Sequence, residues 1–158
     1  MRRRDFIMFA GGGAVAAWPL VAGAQQPSSI PKIGFLYPGP EANAKMRSAL
    51  MLEGLRTQGF RVPEQVGVLV RATGGDPARS APLLAELVAS KIDILLPMGG
   101  LTLTLAANAA ATNIPIVTYD LEVDPIESGL LKSLAHPGGN VTGVFLDLPE
   151  ISTALLEL

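Results

Sequence analysis

Short apolar runs alternate with longer amphipathic stretches along residues 32–146. Five runs rich in aliphatic and β-branched residues predict buried strands, and they are 32–36, 66–72, 92–98, 116–119 and 141–146. Between them, apolar and small residues recur at helical spacing and predict helices over 41–58, 78–90, 101–111 and 126–134. This alternation predicts right-handed βαβ crossovers and therefore an α/β fold, a doubly wound parallel sheet with strand order 2-1-3-4-5.

The first twenty-four residues have the parts of a bacterial export signal. Arg2 to Arg4 are positive, Ile7 to Ala22 are uncharged, and Ala22-Gly23-Ala24 has the small-x-small pattern of a cleavage site. Arg3-Arg4-Asp5-Phe6-Ile7 fits the twin-arginine (Tat) form, although Sec signals also begin with arginines. A membrane anchor is the alternative, which three adjacent glycines and a proline in a short apolar run disfavour. We therefore expect cleavage after residue 24 and a periplasmic location.

Composition narrows the classes of partner and chemistry. Removing the leader takes away three arginines and one aspartate, so the formal charge goes from −2 to −4. A mildly acidic domain without a basic run predicts no nucleic-acid binding, because affinity for phosphates comes from clustered lysine and arginine. Cysteine is absent, so we expect no disulfide and no thiol chemistry. His136 is the single histidine and precedes Pro137-Gly138 in a predicted turn, so we expect a surface residue and no histidine metal site.

The candidate chemistry lies where predicted parallel strands end. In an open sheet, ligands bind beyond the carboxyl ends of the strands, at the point where the strand order reverses. Residues 37–39, 99–102 and 120–124 follow the first, third and fourth strands and would meet at that edge. The residues expected to contact a ligand are Tyr37, Gly39, Gly99, Gly100, Thr102, Asp120 and Asp124.

Each segment suits a different part of a small solute. Gly99-Gly100 lets the backbone approach a carboxylate at a helix N-terminus, with Thr102 or Thr104 adding a hydroxyl. The acids of 120–124 would suit an ammonium group, and the ring of Tyr37 could stack on a ligand. Each segment also has a structural interpretation, which stays open at this point. Residues 99–102 could be an ordinary strand-to-helix turn with a threonine cap, and 120–124 could be a solvated loop in which Asp124 caps the next helix. Tyr37 could simply cover the sheet edge.

Signatures of enzymes and nucleotide binders are missing. The sequence has no G-x-G-x-x-G after the first strand, no G-x-x-x-x-G-K-[ST] and no G-x-S-x-G. We therefore expect no catalytic residues, no cofactor and no resident metal. Asn140-Val141-Thr142 matches a glycosylation acceptor, which a bacterial export signal makes irrelevant.

Several stretches together resemble one bacterial family, the ABC-transporter substrate-binding proteins of the tryptophan/tyrosine-binding (TrpX-like) type. The similar stretches are the leader, Ile33 to Leu36, residues 111–117 and Asp124-Pro125-Ile126. Residues 134–144 are also similar, and they correspond to the family's L-x-R-P-G-G-N-V-T-G-V. His136 stands where arginine is usual. The resemblance implies a type I periplasmic-binding fold with two α/β lobes, no enzymatic activity, and a small solute passed to an ABC permease in the inner membrane.

The chain is about half as long as the family's usual members. We therefore expect residues 1–24 to be the signal peptide, 25–31 a leader segment, 32–146 the first lobe, and 147–158 the crossover into a truncated second lobe. A fragment or truncated product is favoured over a partner chain that supplies the other lobe. The expected solute is amino-acid-like or an organic anion. Two alternatives stay open, namely an exported ligand-sensing domain of a signalling system and an exported α/β hydrolase.

Overall fold

The computed structural model describes residues 30–120, 124–133 and 135–145. Strands and helices alternate as the sequence pattern predicts, with boundaries within about two residues of those expected. The elements are β1 (Lys32–Tyr37), α1 (Glu41–Thr57), β2 (Gly67–Ala72), a 3₁₀ turn (Pro77–Arg79), α2 (Ser80–Ala89), β3 (Ile94–Pro97), α3 (Gly100–Ala110), β4 (Ile116–Asp120) and β5 (Val141–Phe145).

The five strands form one parallel sheet in the order β2-β1-β3-β4-β5. Tyr37 of β1 lies opposite Ala72 of β2, and Leu36 lies opposite Pro97 of β3, so these three strands end together. Asp120 of β4 pairs with Phe145 of β5. The predicted fold class and strand order are confirmed.

Different helices cover the two faces of this sheet. Side chains alternate between faces along a strand, so Leu36 and its neighbour Phe35, both fully buried, point in opposite directions. Phe35 lies on the face where α1 contacts β1 and β2 and buries Ala44 and Ser48. The other face carries the larger core, which is formed by Leu36, Leu84, Leu87, Ile92, Leu95, Leu103, Ala107, Ala111, Ile116, Leu130, Leu131 and Val141.

The predicted helix over 126–134 is wrong as far as the structure describes this segment. Residues 125–129 form a hydrogen-bonded turn instead. Ser128 N donates to Asp124 O at 3.1 Å, which is a helical hydrogen bond. Leu131 N donates instead to Pro125 O at 2.9 Å, six residues back, so the helical hydrogen-bond pattern ends after one turn. Residues 1–29, 121–123, 134 and 146–158 lie outside the described residues. The predicted signal peptide and the predicted crossover into a second lobe fall among them.

No helix among the described residues is long and apolar enough to cross a bilayer. In the same residues, no group of three or more histidine, cysteine, aspartate and glutamate side chains could hold a metal ion.

Candidate functional site

A cavity of about 380 Å³ opens at the carboxyl edge of the sheet. It lies where β1, β2 and β3 end, between the first turns of α2 and α3, which contact each other. Its lining residues are Pro38, Thr73, Gly75, Pro77, Ser80, Ala81, Gly99, Thr102, Leu103 and Ala106. Because the strand order reverses between β1 and β3, this cavity occupies the place where ligands of open α/β sheets bind.

The N-terminus of α3 forms one wall of the cavity. Gly99 is the N-cap residue and makes no side-chain cap hydrogen bond, and Gly100 begins the helix with φ of 69°. A β-carbon at position 99 would lie 2.8 Å from a methyl of Leu103 and 3.0 Å from the ring of Pro38. Gly99 therefore lets the backbone pass close to Pro38, and the amide groups of the first helical turn receive no side-chain cap. Such a terminus favours a carboxylate.

The loop after β2 forms the opposite wall, and our sequence prediction left it out. Thr73 is 2% exposed, and its hydroxyl donates to Pro38 O. Three backbone amides extend the pairing of β1 and β2 past the strand ends: Thr73 N donates to Tyr37 O at 3.0 Å, Gly74 N to Gly39 O at 3.1 Å, and Gly75 N to Pro38 O at 2.8 Å. These bonds define what we call the rim. The available signal was Thr73-Gly74-Gly75-Asp76-Pro77 directly after a strand, which we interpreted only as a turn.

Two side chains hold the rim against α2. Arg79 Nη1 donates to Thr73 O at 3.0 Å. Asp76 Oδ1 accepts from Ala78 N at 2.9 Å and so caps the 3₁₀ turn that precedes α2. Ser80 in the first turn of α2 is thereby fixed at the cavity.

After β1 we predicted Tyr37 and Gly39 as ligand contacts, but the residue that lines the cavity is Pro38, which lies between them. The ring of Tyr37 lies 5.3 Å from the Arg47 guanidinium of α1, a cation–π contact on the other face of the sheet. Gly39 contributes its carbonyl oxygen to the rim. The parity of β1 explains this outcome, because residues 36 and 37 point to opposite faces.

The acidic segment after β4 is only partly described. Asp124 Oδ1 accepts from Ile126 N at 2.6 Å and from Glu127 N at 3.3 Å, so it caps the turn that follows. This is the structural role that the sequence left open beside ammonium binding. The backbone of Asp120 ends β4, and its side chain and residues 121–123 lie outside the described residues.

Thr104, the alternative to Thr102 on α3, is buried beneath the site. Its hydroxyl lies 2.9 Å from Gly100 O and 2.8 Å from the Thr118 hydroxyl of β4, and both residues are at most 3% exposed. Each hydroxyl carries one hydrogen. Thr118 therefore donates to Thr104 when Thr104 donates to Gly100 O, and the pair ties the start of α3 to the sheet.

We expect Thr104→Val to lower the free energy of unfolding by about 1–3 kcal/mol, because it removes the Gly100 bond and leaves the Thr118 hydroxyl with only the 3.4 Å contact to Pro97 O. The double variant Thr104→Val/Thr118→Val is expected to be less destabilised than the sum of the single variants, because neither hydroxyl is then left unpaired. Urea unfolding of the four proteins tests this. If the losses in the two single variants simply add up in the double variant, the two hydroxyls are not coupled.

Among the residues that the structure describes, none that lines the main cavity is acidic or basic. A second cavity of about 280 Å³ by β2 is more polar, but Lys45 and Glu41 pair there at 2.8 Å and Arg71 and Glu86 pair nearby at 2.6 Å. The hydrogen bond from Arg71 lowers the pKa of Glu86. Arg79 also lines the second cavity, but its Nη1 donates to Thr73 O at 3.0 Å and so holds the rim. Because these polar side chains have partners within the chain, the second cavity is the weaker candidate.

The turn before β5 has a structural role. His136 is exposed, and its amide donates to Ser133 Oγ at 3.0 Å. Asn140 Nδ2 donates to Ala111 O at 2.6 Å and to Ile114 O at 2.7 Å, so one amide holds the connection between α3 and β4. Our sequence analysis noted Asn140 only as part of a match to a glycosylation acceptor.

Comparison with known proteins identifies a family for this chain. Residues 39–155 match the family model described as ABC transporter substrate binding protein. A tyrosine-binding protein of Clostridioides difficile (strain R20291) is 28% identical over 92 residues, which are 58% of this chain and 26% of that protein.

Solved structures show the same likeness. The ABC domain of Streptococcus pneumonia in complex with L-Trp is 28% identical, with a TM-score of 0.62 over 74% of this chain and 39% of that one. A ligand-free, open substrate binding protein with adhesive properties from Clostridium difficile is 22% identical and shares the fold, with a TM-score of 0.67 over 81% of this chain and 43% of that one.

The chain thus spans less than half the length of the relatives it matches. The family resemblance predicted from the sequence is confirmed, since the matching segment runs from the end of β1 to beyond β5. This chain belongs to the ABC transporter substrate-binding protein family.

Proposed function

We propose that the cavity between α2 and α3 captures one side of a small amino-acid-like or organic-anion solute, and that the chain acts as the first lobe of the solute-binding component of an ABC importer. The observation that carries the proposal is the uncapped N-terminus of α3 at the wall of a ready-made cavity. Family membership supports the class of function, and the cavity supports the place that we propose for binding.

The two walls suit the two ends of such a solute. A carboxylate placed at Gly99 to Thr102 would accept hydrogen bonds from backbone amides and lie at the positive end of the α3 dipole. Beyond it, Leu103 and Ala106 offer an apolar surface. The tyrosine-binding relative and the neighbour solved with L-Trp make aromatic amino acids the first solutes to try.

Binding without turnover is the role that this lining supports. Among the described residues that form the cavity, none is a histidine, cysteine, aspartate, glutamate or lysine, so it offers no strong general base and no activated nucleophile. Hydroxyls and amides orient a ligand without transforming it.

Export and delivery complete the proposal. The predicted leader would place the protein in the periplasm, where the solute is met, and an ABC permease in the inner membrane would receive it. Asp120 and Asp124 remain the predicted partners of a solute ammonium group. Asp124 Oδ1 already accepts two backbone amides, so its Oδ2 is the oxygen that we assign to such a contact.

The test is a ¹⁵N-amide NMR titration of the chain with L-tryptophan, indole-3-propionate and tryptamine, each up to about 20 mM. The first two carry a carboxylate and should shift the amides of residues 99–102, whereas tryptamine lacks the carboxylate and should leave them in place. Equal shifts with tryptamine, or no shift at these amides with any of the three, would overturn the proposal.

One lobe offers only one side of a cleft, so the affinity should be low. With a dissociation constant near 20 mM, a solute at about 2 mM would stabilise the fold by roughly 0.1 kcal/mol or less. We therefore expect no measurable rise in the melting temperature of this chain with any single amino acid, although the NMR shifts are visible. A rise of several degrees would contradict the half-cleft interpretation.

A further inference from the structure

We infer that Ala81 and Ala106 set the largest group that the cavity admits, and that the part of the solute entering between α2 and α3 is uncharged. This inference rests on the proposed function, because it concerns how a solute held at α3 is oriented and selected. It adds a direction and a size limit to the site.

The two alanines stand on different walls. Ala81 is the second residue of α2 and Ala106 lies two turns into α3, and both line the cavity. Ala81 is exposed at the mouth, whereas Ala106 is half-buried and packs against the core cluster. Because neither side chain extends beyond a β-carbon, the space between the helices exists only while these positions stay small.

The chemistry of the lining determines what can enter this space. Pro38, Pro77 and Leu103 add apolar surface, and no charged side chain in the described part of the chain lines the cavity. A charged group moved there from water would lose its hydration without gaining a counter-ion. The hydroxyls of Ser80 and Thr102 line the cavity, and each can form a hydrogen bond with an uncharged polar atom of the solute.

The size limit should be firm because the walls cannot easily move apart. The rim fixes the loop after β2 to Pro38, and Arg79 fixes it to α2. Leu103 belongs to the core cluster that joins α3 to α2 and the sheet. Widening the cavity would therefore break hydrogen bonds or core packing.

The experiment compares L-alanine, L-leucine and L-tryptophan, which share a carboxylate and an ammonium group and differ only in the side chain. Dissociation constants are measured from the amide shifts of residues 99–102 in the whole chain. L-glutamate, which would place a charge between the helices, is the fourth probe. In the unchanged protein, we expect L-tryptophan to bind at least about tenfold more tightly than L-alanine, and L-glutamate no better than L-alanine.

Ala106→Leu should weaken the binding of L-tryptophan by about tenfold or more and leave the dissociation constant of L-alanine unchanged. Ala110→Leu is the matched control, since position 110 is exposed on the same helix one turn farther along and does not line the cavity. Ala81→Leu is the second test variant. It lies at an exposed position, so it should reproduce the selective loss with no cost to folding, even where Ala106→Leu disturbs the core.

Three outcomes would overturn the inference and leave the proposed function standing, because all of them keep the shifts at residues 99–102. These are equal affinity for L-alanine and L-tryptophan, preference for L-glutamate, and full L-tryptophan affinity in folded Ala81→Leu. A different outcome, no shift at these amides with any probe, would remove the proposed function and this inference with it.

Discussion

Asn140→Asp is expected to destabilise the fold by about 2 kcal/mol or more at neutral pH. The Asn140 amide donates to Ala111 O and Ile114 O at 2.6 and 2.7 Å, and a carboxylate in its place would face two acceptors with no hydrogen to offer. Repulsion by these carbonyl oxygens disfavours the charged form, so the pKa of the introduced carboxyl would be higher in the folded than in the unfolded protein.

The sign of the pH dependence follows from that difference. The folded variant holds its proton to a higher pH than the unfolded chain, so its stability falls as the pH rises from about 4, near the unfolded pKa, through the raised folded pKa. Below about pH 4, both states are protonated and the electrostatic part of the loss disappears. Urea unfolding at several pH values measures this dependence.

Asn113→Asp is the matched control for this change. Asn113 is exposed in the same connection, and the substitution adds the same charge without facing two carbonyl oxygens. The stability difference between the two variants should therefore grow with pH. A constant difference would show that charge at position 140 is tolerated and that the amide does not hold the turn.

Gly143→Ala is expected to lower the free energy of unfolding by about 1–3 kcal/mol and to weaken the pairing of β5 with β4. A β-carbon at position 143 would lie 2.1 Å from Thr118 O and 2.9 Å from the carbonyl carbon of Thr118. The obstacle is backbone, which cannot rotate away as a side chain does, so one strand must shift. The loss should appear in urea unfolding and as faster hydrogen exchange of amides 141–145.

Gly139→Ala makes the same chemical change four residues earlier. A β-carbon there meets nothing within 4 Å, and we expect a change within about 0.5 kcal/mol. If both substitutions are equally mild, the close approach of β5 to Thr118 is not a feature of the protein in solution.

The sequence pattern was enough to predict the sheet because its interior strand β1 buries successive side chains on both faces. Phe35-Leu36 and Leu95-Leu96 are apolar in succession, which distinguishes such strands from half-exposed ones, and the intervening helices determine the crossovers. The segment 125–129 escaped prediction for a physical reason. The predicted helix over 126–134 rested on apolar residues at helical spacing, among them Ile126 and Leu130. The Asp124 side chain and the Leu131 amide instead satisfy the backbone locally and close a turn.

The sequence predicted those parts of the candidate site that depend on local backbone conformation, and it did not predict those that depend on contacts between distant residues. Gly99 and Gly100 indicate a strand-to-helix turn in any context, and the structure places Gly99 and Thr102 in the cavity. The orientation of Tyr37 depends on strand parity, and the role of Thr73 depends on Pro38, which lies 35 positions away in the sequence. Contacts of that kind exist only once β1 and β2 are paired.

The backbone bonds between residues 37–39 and 73–75 also bear on how quickly a solute would be captured. A flexible flap would have to fold over its ligand, and its closure would slow every encounter. Here the edge is held by the same hydrogen bonds that extend the sheet, so we expect arrival by diffusion to set the rate at which the proposed solute associates. The weak affinity that we propose would then come from rapid escape of the solute, with association as fast as for a rigid receptor.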